Sequence, residues 1–341
     1  MASKQSKRVI AVVTDAFAPF HQRVVTCLRP HLAGSGFGTL AVTGRDVHTD
    51  RLIEQTGEHS TGEQAYRTHL DVQGAIVVCG AAPPDMSDAE VVEYVAHLTD
   101  GPVVSLGIHL PGVPSVTIGW EDVIPKVMNH ALARSDRTRF AFIRGFGGDP
   151  HSEMREAGFR RSMAEAGLAV DEDLVLHGNF SVADGMNAVG RVLDGGMTFD
   201  GLIAANDDMA VGAMAALQQR GYRVPDDVVI VGFDDSLAAF SAEPPLTSAL
   251  LDTPELTRAA AEIVIGAIES GRSLDPNLQV TIDSQLIVRA STEAVTTMLP
   301  QSSAPITTGV LARIIEARWD RRRAPASVDI TKLALAAAAA L

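Results

Sequence analysis

The stretch 199–248 constrains the fold more than any other part of the chain. It contains two apolar runs, Leu202–Ala205 and Val228–Phe233, whose length and composition predict two successive buried strands. Polar residues follow each run at once, namely Asn206 with Asp207 and Asp234 with Asp235. Because open α/β sheets bind ligands at the carboxyl ends of their strands, the sequence predicts a polar binding site where these two strands end.

Predicted strands and helices alternate along the rest of the chain at the spacing of βαβ units. The other predicted strands are Val9–Thr14, Thr39–Thr43, Gly74–Cys79, Val103–Leu106, Val116–Ile118, Phe140–Arg144, Leu174–His177 and Gln285–Arg289. The predicted helices are Phe20–Gly34, Asp88–Thr99, Glu121–Arg134, His151–Gly167, Ser181–Leu193 and a last one from Pro254 to Gly271. The pattern is typical of an α/β protein with parallel sheets.

Three motifs resemble the effector-binding core of the lactose-repressor/galactose-repressor family: AANDDMAVGAM at 204–214, VPDDVVIVGFDDS at 224–236 and PPLTS at 244–248. The resemblance covers residues 8–292. It implies a periplasmic-binding-protein-like fold of type I, with two doubly wound parallel-sheet lobes joined by a hinge of about three crossings. The implied N-terminal lobe is 8–137 plus 252–282, the C-terminal lobe is 138–251 plus 283–296, and 297–341 is an extension or linker.

The resemblance also implies four ligand contacts. Arg155 matches an arginine whose planar guanidinium can hold two neighbouring sugar hydroxyls, and Asn206 offers both a donor and an acceptor. Asp234 is an acceptor, and Phe180 stands where the family places an aromatic against a sugar ring. Each has a plainer alternative, because Asn206 could only cap a helix, Asp234 could serve a turn, Arg155 could lie on a helix surface and Phe180 could belong to the core.

The first-lobe side of the expected cleft departs from the family's sugar-binding pattern. Gly107 stands where an aspartate is common, and Leu251 occupies a position that can be glutamine. Asp15, after the first strand, remains as a polar contributor, and His151 is expected to face the cleft from the second lobe. We therefore expect the polar ligand contacts to be concentrated on one lobe.

Charge and apolar patterning limit the partners. Residues 1–300 carry 22 Lys and Arg against 39 Asp and Glu, a net charge of −17, which repels phosphate backbones. About eight residues precede the first strand, whereas a helix-turn-helix with its hinge needs roughly 50 to 60, so direct DNA binding is not expected. No apolar run is long enough for a signal peptide or a membrane span, which predicts a cytoplasmic protein.

Enzymatic function is disfavoured. The glycine-rich segment 144–150 fits neither nucleotide-binding pattern, and the sequence contains no GxSxG, HExxH or CxxC motif. The ten histidines are scattered without ligand spacing, so we expect neither a metal nor a cofactor.

The sequence thus predicts a homodimeric sensor domain that binds a small polar effector, most simply a carbohydrate, between its lobes. One alternative is a solute-binding protein of a sugar transport system. Another is a sensor fused to a signalling output such as a diguanylate cyclase, and a third is an interaction module that binds no ligand. An amphipathic segment at 309–320 is interpreted either as a linker or as the start of a connecting helix.

Overall fold

The computed structural model describes residues 8–14, 19–43, 71–80, 86–133 and 137–293. Within these ranges the strands are β1 (Arg8–Thr14), β2 (Gly38–Thr43), β3 (Asp71–Val78), β4 (Val103–Leu106), β5 (Ser115–Ile118), β6 (Phe140–Arg144), β7 (Val175–His177), β8 (Gly201–Ala204), β9 (Val229–Asp234), β10 (Thr247–Leu250), β11 (Gln279–Ile282) and β12 (Leu286–Ile287). The helices are α1 (Pro19–Gly34), α2 (Asp88–Leu98), α3 (Trp120–Leu132), α4 (Pro150–Glu165), α5 (Val182–Asp194), α6 (Asp207–Gln219), α7 (Leu237–Ser241) and α8 (Thr253–Ser270).

Two six-stranded sheets organise the fold. The first has the order β11-β5-β4-β3-β1-β2 and is parallel throughout. The second has the order β12-β10-β9-β8-β6-β7 and is parallel except for β12, which pairs antiparallel with β10. Helices cover the faces of parallel sheets, which explains why central strands such as β1 and β8 are buried almost end to end. The predicted fold class is confirmed.

We call the first sheet with its packed helices the first lobe, and the second sheet with its helices the second lobe. Helices α1, α2 and α8 pack on the first sheet, and α3 to α6 pack on the second. The chain crosses between the lobes before α3, before α8 and between β11 and β12. The crossings are bonded to one another, since the Gly119 amide donates to the Ile282 carbonyl (3.0 Å) and the Ser284 hydroxyl donates to the Leu250 carbonyl (2.7 Å).

Two features differ from the sequence-based expectation. Helix α3 was expected in the first lobe, which was predicted to run to residue 137, but it packs on α4 and on β9, β10 and β12. The reason is its apolar face, whose Ile124 lies so close to Gly158 of α4 that a side chain there would collide with it. Strand β11 was not predicted, because its residues are half-exposed at a sheet edge and lack a strong apolar run.

The remaining lobe boundaries stay predictions, and 297–341 lies outside the described residues. No helix among the described residues is both long and apolar enough to span a membrane.

Candidate functional site

A cavity of about 180 Å³ lies between the lobes, at the carboxyl ends of the strands. The first lobe contributes residues of α1 and the loop after β3: Phe20, His21, Arg23, Cys79 and Gly80. The second lobe contributes residues that follow β6, β7, β8 and β9: Phe146, Asp149, His151, Arg155, Phe180, Asn206, Asp207, Asp208, Asp234 and Ser236. Leu251, from the second crossing, completes the lining.

Arg155 is a deeply buried cation of the cavity, at 4% exposure. Its guanidinium packs against two aromatic rings, with Cζ 4.4 Å from the ring centre of Trp120 and 4.7 Å from that of Phe233. One terminal nitrogen donates to the Ala205 carbonyl, and the other lies 3.6 Å from a carboxylate oxygen of Asp234. These contacts hold the planar group rigidly at the cavity wall, where it can donate to a ligand.

Asp207 and Asp234 form an acidic pair, in which Asp207 is buried and Asp234 is half-buried. Asp207 accepts hydrogen bonds from the Ser236 amide (2.7 Å) and the Ser248 hydroxyl (2.6 Å), which ties β8, β9 and β10 together at their ends. Burial, followed by the charge of Asp234, raises the pKa of Asp207 to about 7. Burial also raises the pKa of Asp234 to about 6, against the opposing effect of Arg155 and Arg23.

Asn206 has a structural role in addition to facing the cavity. Its side-chain oxygen accepts from the Met209 amide (3.0 Å) and so caps α6, while its amide nitrogen donates to the Phe180 carbonyl (3.1 Å). Asn206 therefore caps a helix, as the plainer interpretation of the sequence predicted.

Phe180 packs against its own lobe as well as lining the cavity. A side chain at Gly145 would overlap its ring, which also meets Phe146 edge-on with the centroids 5.5 Å apart. Phe180, Asp234 and Asp235 are the non-glycine residues with positive φ among the described residues, at 61°, 106° and 50°. Such conformations cost free energy and gather at functional sites.

His151 lies at the interface between the lobes. Its Nε2 is 3.4 Å from the point that a Cβ on Gly107 of the first lobe would occupy, and its ring meets Trp120 at 6.2 Å. Burial, and then the charge of Arg155, lowers the pKa of His151 to about 3, so the ring is neutral near pH 7. Three adjacent buried atoms lack a hydrogen-bond partner among the described residues: His151 Nδ1, Arg155 Nε and Trp120 Nε1.

The structure brings five of the six predicted site residues to this one cavity: Arg155, Asn206, Asp234, Phe180 and His151. Asp15 lies outside the described residues. Sequence reasoning missed His21, Arg23 and Asp149, which also line the cavity. An aspartate before a proline that starts a helix was a visible signal for Asp149, whereas nothing local distinguishes Arg23 from other exposed helix arginines.

First-lobe polarity is therefore greater than expected, since His21 and Arg23 come from α1 rather than from the strand ends that the sequence analysis considered. Within the described ranges, no group of three or more His, Cys, Asp or Glu side chains could hold a metal ion.

Comparisons with known proteins fit this geometry. Residues 130–292 match the family model of the periplasmic binding protein-like domain. The HTH-type transcriptional regulator CelR of Thermobifida fusca is 29% identical over 302 residues, covering 85% of this chain and 83% of the relative. The HTH-type transcriptional repressor PurR of Haemophilus influenzae (strain PittEE) is 34% identical over 303 residues, covering 85% of this chain and 82% of the relative.

Solved structures give the same result. A structure described as a CelR–cellobiose complex aligns with a TM-score of 0.67 at 26% identity, covering 83% of this chain and 84% of that one. A lac repressor dimer bound to operator and the anti-inducer ONPF aligns with a TM-score of 0.67 at 21% identity, covering 86% and 96% of the two chains, and shows the likeness of fold.

Proposed function

Because this chain belongs to the lactose-repressor/galactose-repressor (LacI/GalR) family of transcription regulators, we propose that its interlobe cavity binds a small hydroxylated effector, a sugar or sugar derivative. The observation that carries the proposal is the cavity itself, in which Arg155, Asn206 and Asp234 stand together at strand ends. Sugar hydroxyls both donate and accept, and these three side chains supply both functions.

The unpartnered buried atoms support a polar ligand. Trp120 Nε1 and Arg155 Nε can only donate, while the neutral ring of His151 can accept at one nitrogen and donate at the other. Buried polar atoms without partners are costly, so a hydroxyl or an ordered water near them would stabilise the site.

The size of the cavity points to a small effector. Drug-sized ligands occupy pockets of roughly 300–1,000 Å³, whereas this one measures about 180 Å³. A monosaccharide-sized ligand suits the arrangement of lobes seen here, and a disaccharide such as the cellobiose in the CelR structure would require the lobes to open. Effector binding would act by changing the balance between more open and more closed lobes.

Family membership makes the chain a cytoplasmic transcription regulator, and its homologues are regulators rather than enzymes. Family membership therefore favours a transcription regulator over the alternative of a solute-binding protein of a sugar transport system. Fusion to a signalling output and the absence of direct DNA binding stay predictions, because homologues in the family bind DNA as well as effectors.

Homologues are dimers, and we extend this assembly to the present chain. Helices α2 and α8 carry apolar stripes in the sequence that are candidates for the dimer contact, but part of each stripe packs inside the lobe. Val91, Val95 and Val264 are buried within the first lobe, which leaves the half-buried Leu98 and Ile268 as candidates for contact with a second copy.

A thermal-shift screen against monosaccharides and disaccharides tests the effector proposal, since a ligand at 100 times its Kd adds about 2.7 kcal/mol to the free energy of unfolding. Calorimetric titration of a hit should show about 10- to 100-fold weaker binding to Asp234→Asn, because a hydrogen bond to a charged group contributes about 1.5–3 kcal/mol. The exposed Asp173→Asn serves as the control. Equal affinity in wild type and both variants would place the site elsewhere, and a screen without a sugar hit would contradict the carbohydrate assignment.

A further inference from the structure

The interlobe cavity carries more negative than positive charge. Among its described lining residues are two guanidinium groups, those of Arg23 and Arg155, and four carboxylates, those of Asp149, Asp207, Asp208 and Asp234. Its two histidines are His21 and the neutral His151. If all four carboxylates ionise, the arginines balance only half of their charge.

Both arginines already act on two of these carboxylates. Arg155 lies 3.6 Å from Asp234 and is enclosed by Trp120 and Phe233, so it cannot turn toward another acid without leaving its stacked position. Arg23 favours the ionised forms of Asp208 and Asp234, since its charge lowers the pKa of each.

Asp149 and Asp207 have no basic side chain in direct contact, although the charge of Arg155 lowers the pKa of Asp149. Neither makes an ion pair with a Lys or Arg among the described residues. Asp207 is occupied by Ser236 and Ser248. Asp149 caps α4 by accepting from the Ser152 amide (2.7 Å).

Asp149 also faces across the cleft. Its Oδ2 is 4.0 Å from the position that a Cβ on Gly80 would occupy, and His21 Nε2 is 3.7 Å from the same point. Because Gly80 has no side chain, this space between the lobes is open to a ligand group.

We propose that the effector carries a protonated amino group, which Asp149 and Asp234 hold where the two lobes meet. The proposal rests on the proposed function and narrows its ligand class to amino sugars and related hydroxylated amines. An ammonium has three donors and a carboxylate only acceptors, so the two groups are matched. A neutral hydroxyl in the same place would leave the buried negative charge uncompensated.

The three most buried carboxyls of the cavity all have raised pKa values. Burial raises the pKa values of Asp149, Asp207 and Asp234, and the charge of a neighbouring aspartate adds to the effect for Asp207 and Asp234. A bound cation would lower these pKa values and release protons.

The test compares sugars that differ only in the amino group. Glucosamine, galactosamine and mannosamine are titrated beside glucose, galactose and mannose, and N-acetylglucosamine serves as the uncharged amide. We expect at least one amino sugar to bind about tenfold or more tightly than its neutral counterpart and than the amide, since charge-assisted hydrogen bonds are about twice as strong as neutral ones. Affinity for a neutral sugar equal to that for its amine overturns this proposal and leaves the proposed function standing. No binding by any of these sugars overturns both.

A variant that removes only the charge of Asp149 tests whether the ammonium binds there. Asp149→Asn keeps a side chain that can cap α4, so it should fold, yet it should lose most of the preference for the amine. Asp171→Asn is the matched control, because Asp171 likewise caps a helical turn, by accepting from the Asp173 amide, but lies outside the cavity. An unchanged amine preference in Asp149→Asn contradicts the placement of the ammonium at Asp149.

A pH series supplies an independent readout. With the pKa of Asp234 at about 6, affinity for the amino sugar should fall about tenfold from pH 7 to pH 5, as the carboxyl takes up a proton that the ammonium must displace. The affinity for the neutral sugar should fall less steeply, because a protonated Asp234 can still donate to a hydroxyl oxygen, whereas an ammonium offers no acceptor. A parallel fall for both sugars contradicts the proposal.

Discussion

The two lobes build their sides of the cavity in different ways. On the second lobe the polar side chains are held by bonds within that lobe: Asp207 to Ser248, Asn206 to Met209 and Asp149 to Ser152. On the first lobe, strands β3 and β4 are followed closely by Gly80 and Gly107, both with positive φ and neither with a side chain. The second lobe thus presents a prearranged set of polar groups, whereas the strand ends of the first lobe present backbone that allows close approach and its polar side chains, His21 and Arg23, come from α1.

This difference explains why the second lobe tolerates its strained residues. Asp234 and Asp235 adopt positive φ at the end of β9, and both are fixed from outside, Asp235 by an ion pair of 2.5 Å with Arg289 and Asp234 by Arg155. Strained backbone persists only where the surroundings hold it, and here the surroundings also point the carboxylate of Asp234 toward the cavity.

Removing Arg155 should have the largest effect on the stability of the second lobe's side of the cavity. Arg155→Ala leaves Asp234 without its partner and opens space between Trp120 and Phe233, so the free energy of unfolding should fall by about 3 kcal/mol, as when one member of a buried ion pair is lost. Urea unfolding at pH 7 measures this loss. Ligand affinity should fall as well.

Arg160→Ala is the matched control for that measurement. Arg160 lies on the same helix but makes only surface ion pairs with Glu156 and Glu172, which typically contribute less than about 1 kcal/mol. Equal losses in the two variants would mean that the second lobe is not prearranged around Arg155.

A substitution at Gly107 tests the role of the first lobe, and its expected effect on the free energy of unfolding is intermediate. A Cβ there would lie 2.9 Å from Cβ of Cys79 and 3.4 Å from Nε2 of His151, at a φ of 95°. Gly107→Ala should lower the free energy of unfolding by about 1–2 kcal/mol through the backbone alone and should also weaken effector binding, because the new methyl group reaches His151 of the other lobe.

Gly112→Ala isolates the backbone cost. Its φ is 71° and nothing lies within 4 Å of the point that the new methyl group would occupy, so stability should fall while affinity is kept. Calorimetric titration and thermal unfolding of both variants separate the two effects. Weaker binding in Gly112→Ala to the same degree would show that closure does not depend on the contact at Gly107.

Much of the fold was predictable because most of the parallel strands are short apolar runs that end in polar or glycine residues. Strand β9 is an example, and its predicted and observed bounds differ by one residue at each end. Strand β11 was missed since an edge strand needs no apolar face, and α3 was assigned to the wrong lobe since its apolar stripe shows that it packs but not on which sheet.

The site was predictable only in part. The strand-end motifs indicate Asn206 and Asp234 directly. Arg23 and His21, by contrast, reach the cavity from a helix of the other lobe. Their position in the cavity depends on how the two lobes pack together, which the local sequence does not show. The double role of Asn206, as helix cap and as cavity wall, also needs three dimensions, because the two roles use different atoms of one amide.

Removing the charge of Asp207 should have the smallest effect on the free energy of unfolding, and the direction of its pH dependence is unambiguous. With the pKa of Asp207 raised to about 7, the folded state binds more protons than the unfolded state between about pH 4 and pH 7. The contribution of Asp207 to the free energy of unfolding is therefore present below pH 4 and lost as pH rises toward 7, which is the reverse of a salt-bridged aspartate. Asp207→Asn removes this titration while its amide can still bond Ser236 and Ser248.

Relative to wild type, Asp207→Asn should therefore gain stability with rising pH, on the order of 1 kcal/mol between pH 6 and pH 8. Urea unfolding across this range measures the difference. Asp171→Asn should run parallel to wild type over this range, because the hydrogen bond from Arg139 lowers the pKa of Asp171 and its carboxyl is ionised above pH 5 in both the folded and the unfolded state. If the stabilities of wild type and Asp207→Asn change in parallel from pH 6 to pH 8, burial of Asp207 beside Asp234 does not raise its pKa. The electrostatic difference between the polar strand ends of the second lobe and the glycine strand ends of the first lobe would then be absent.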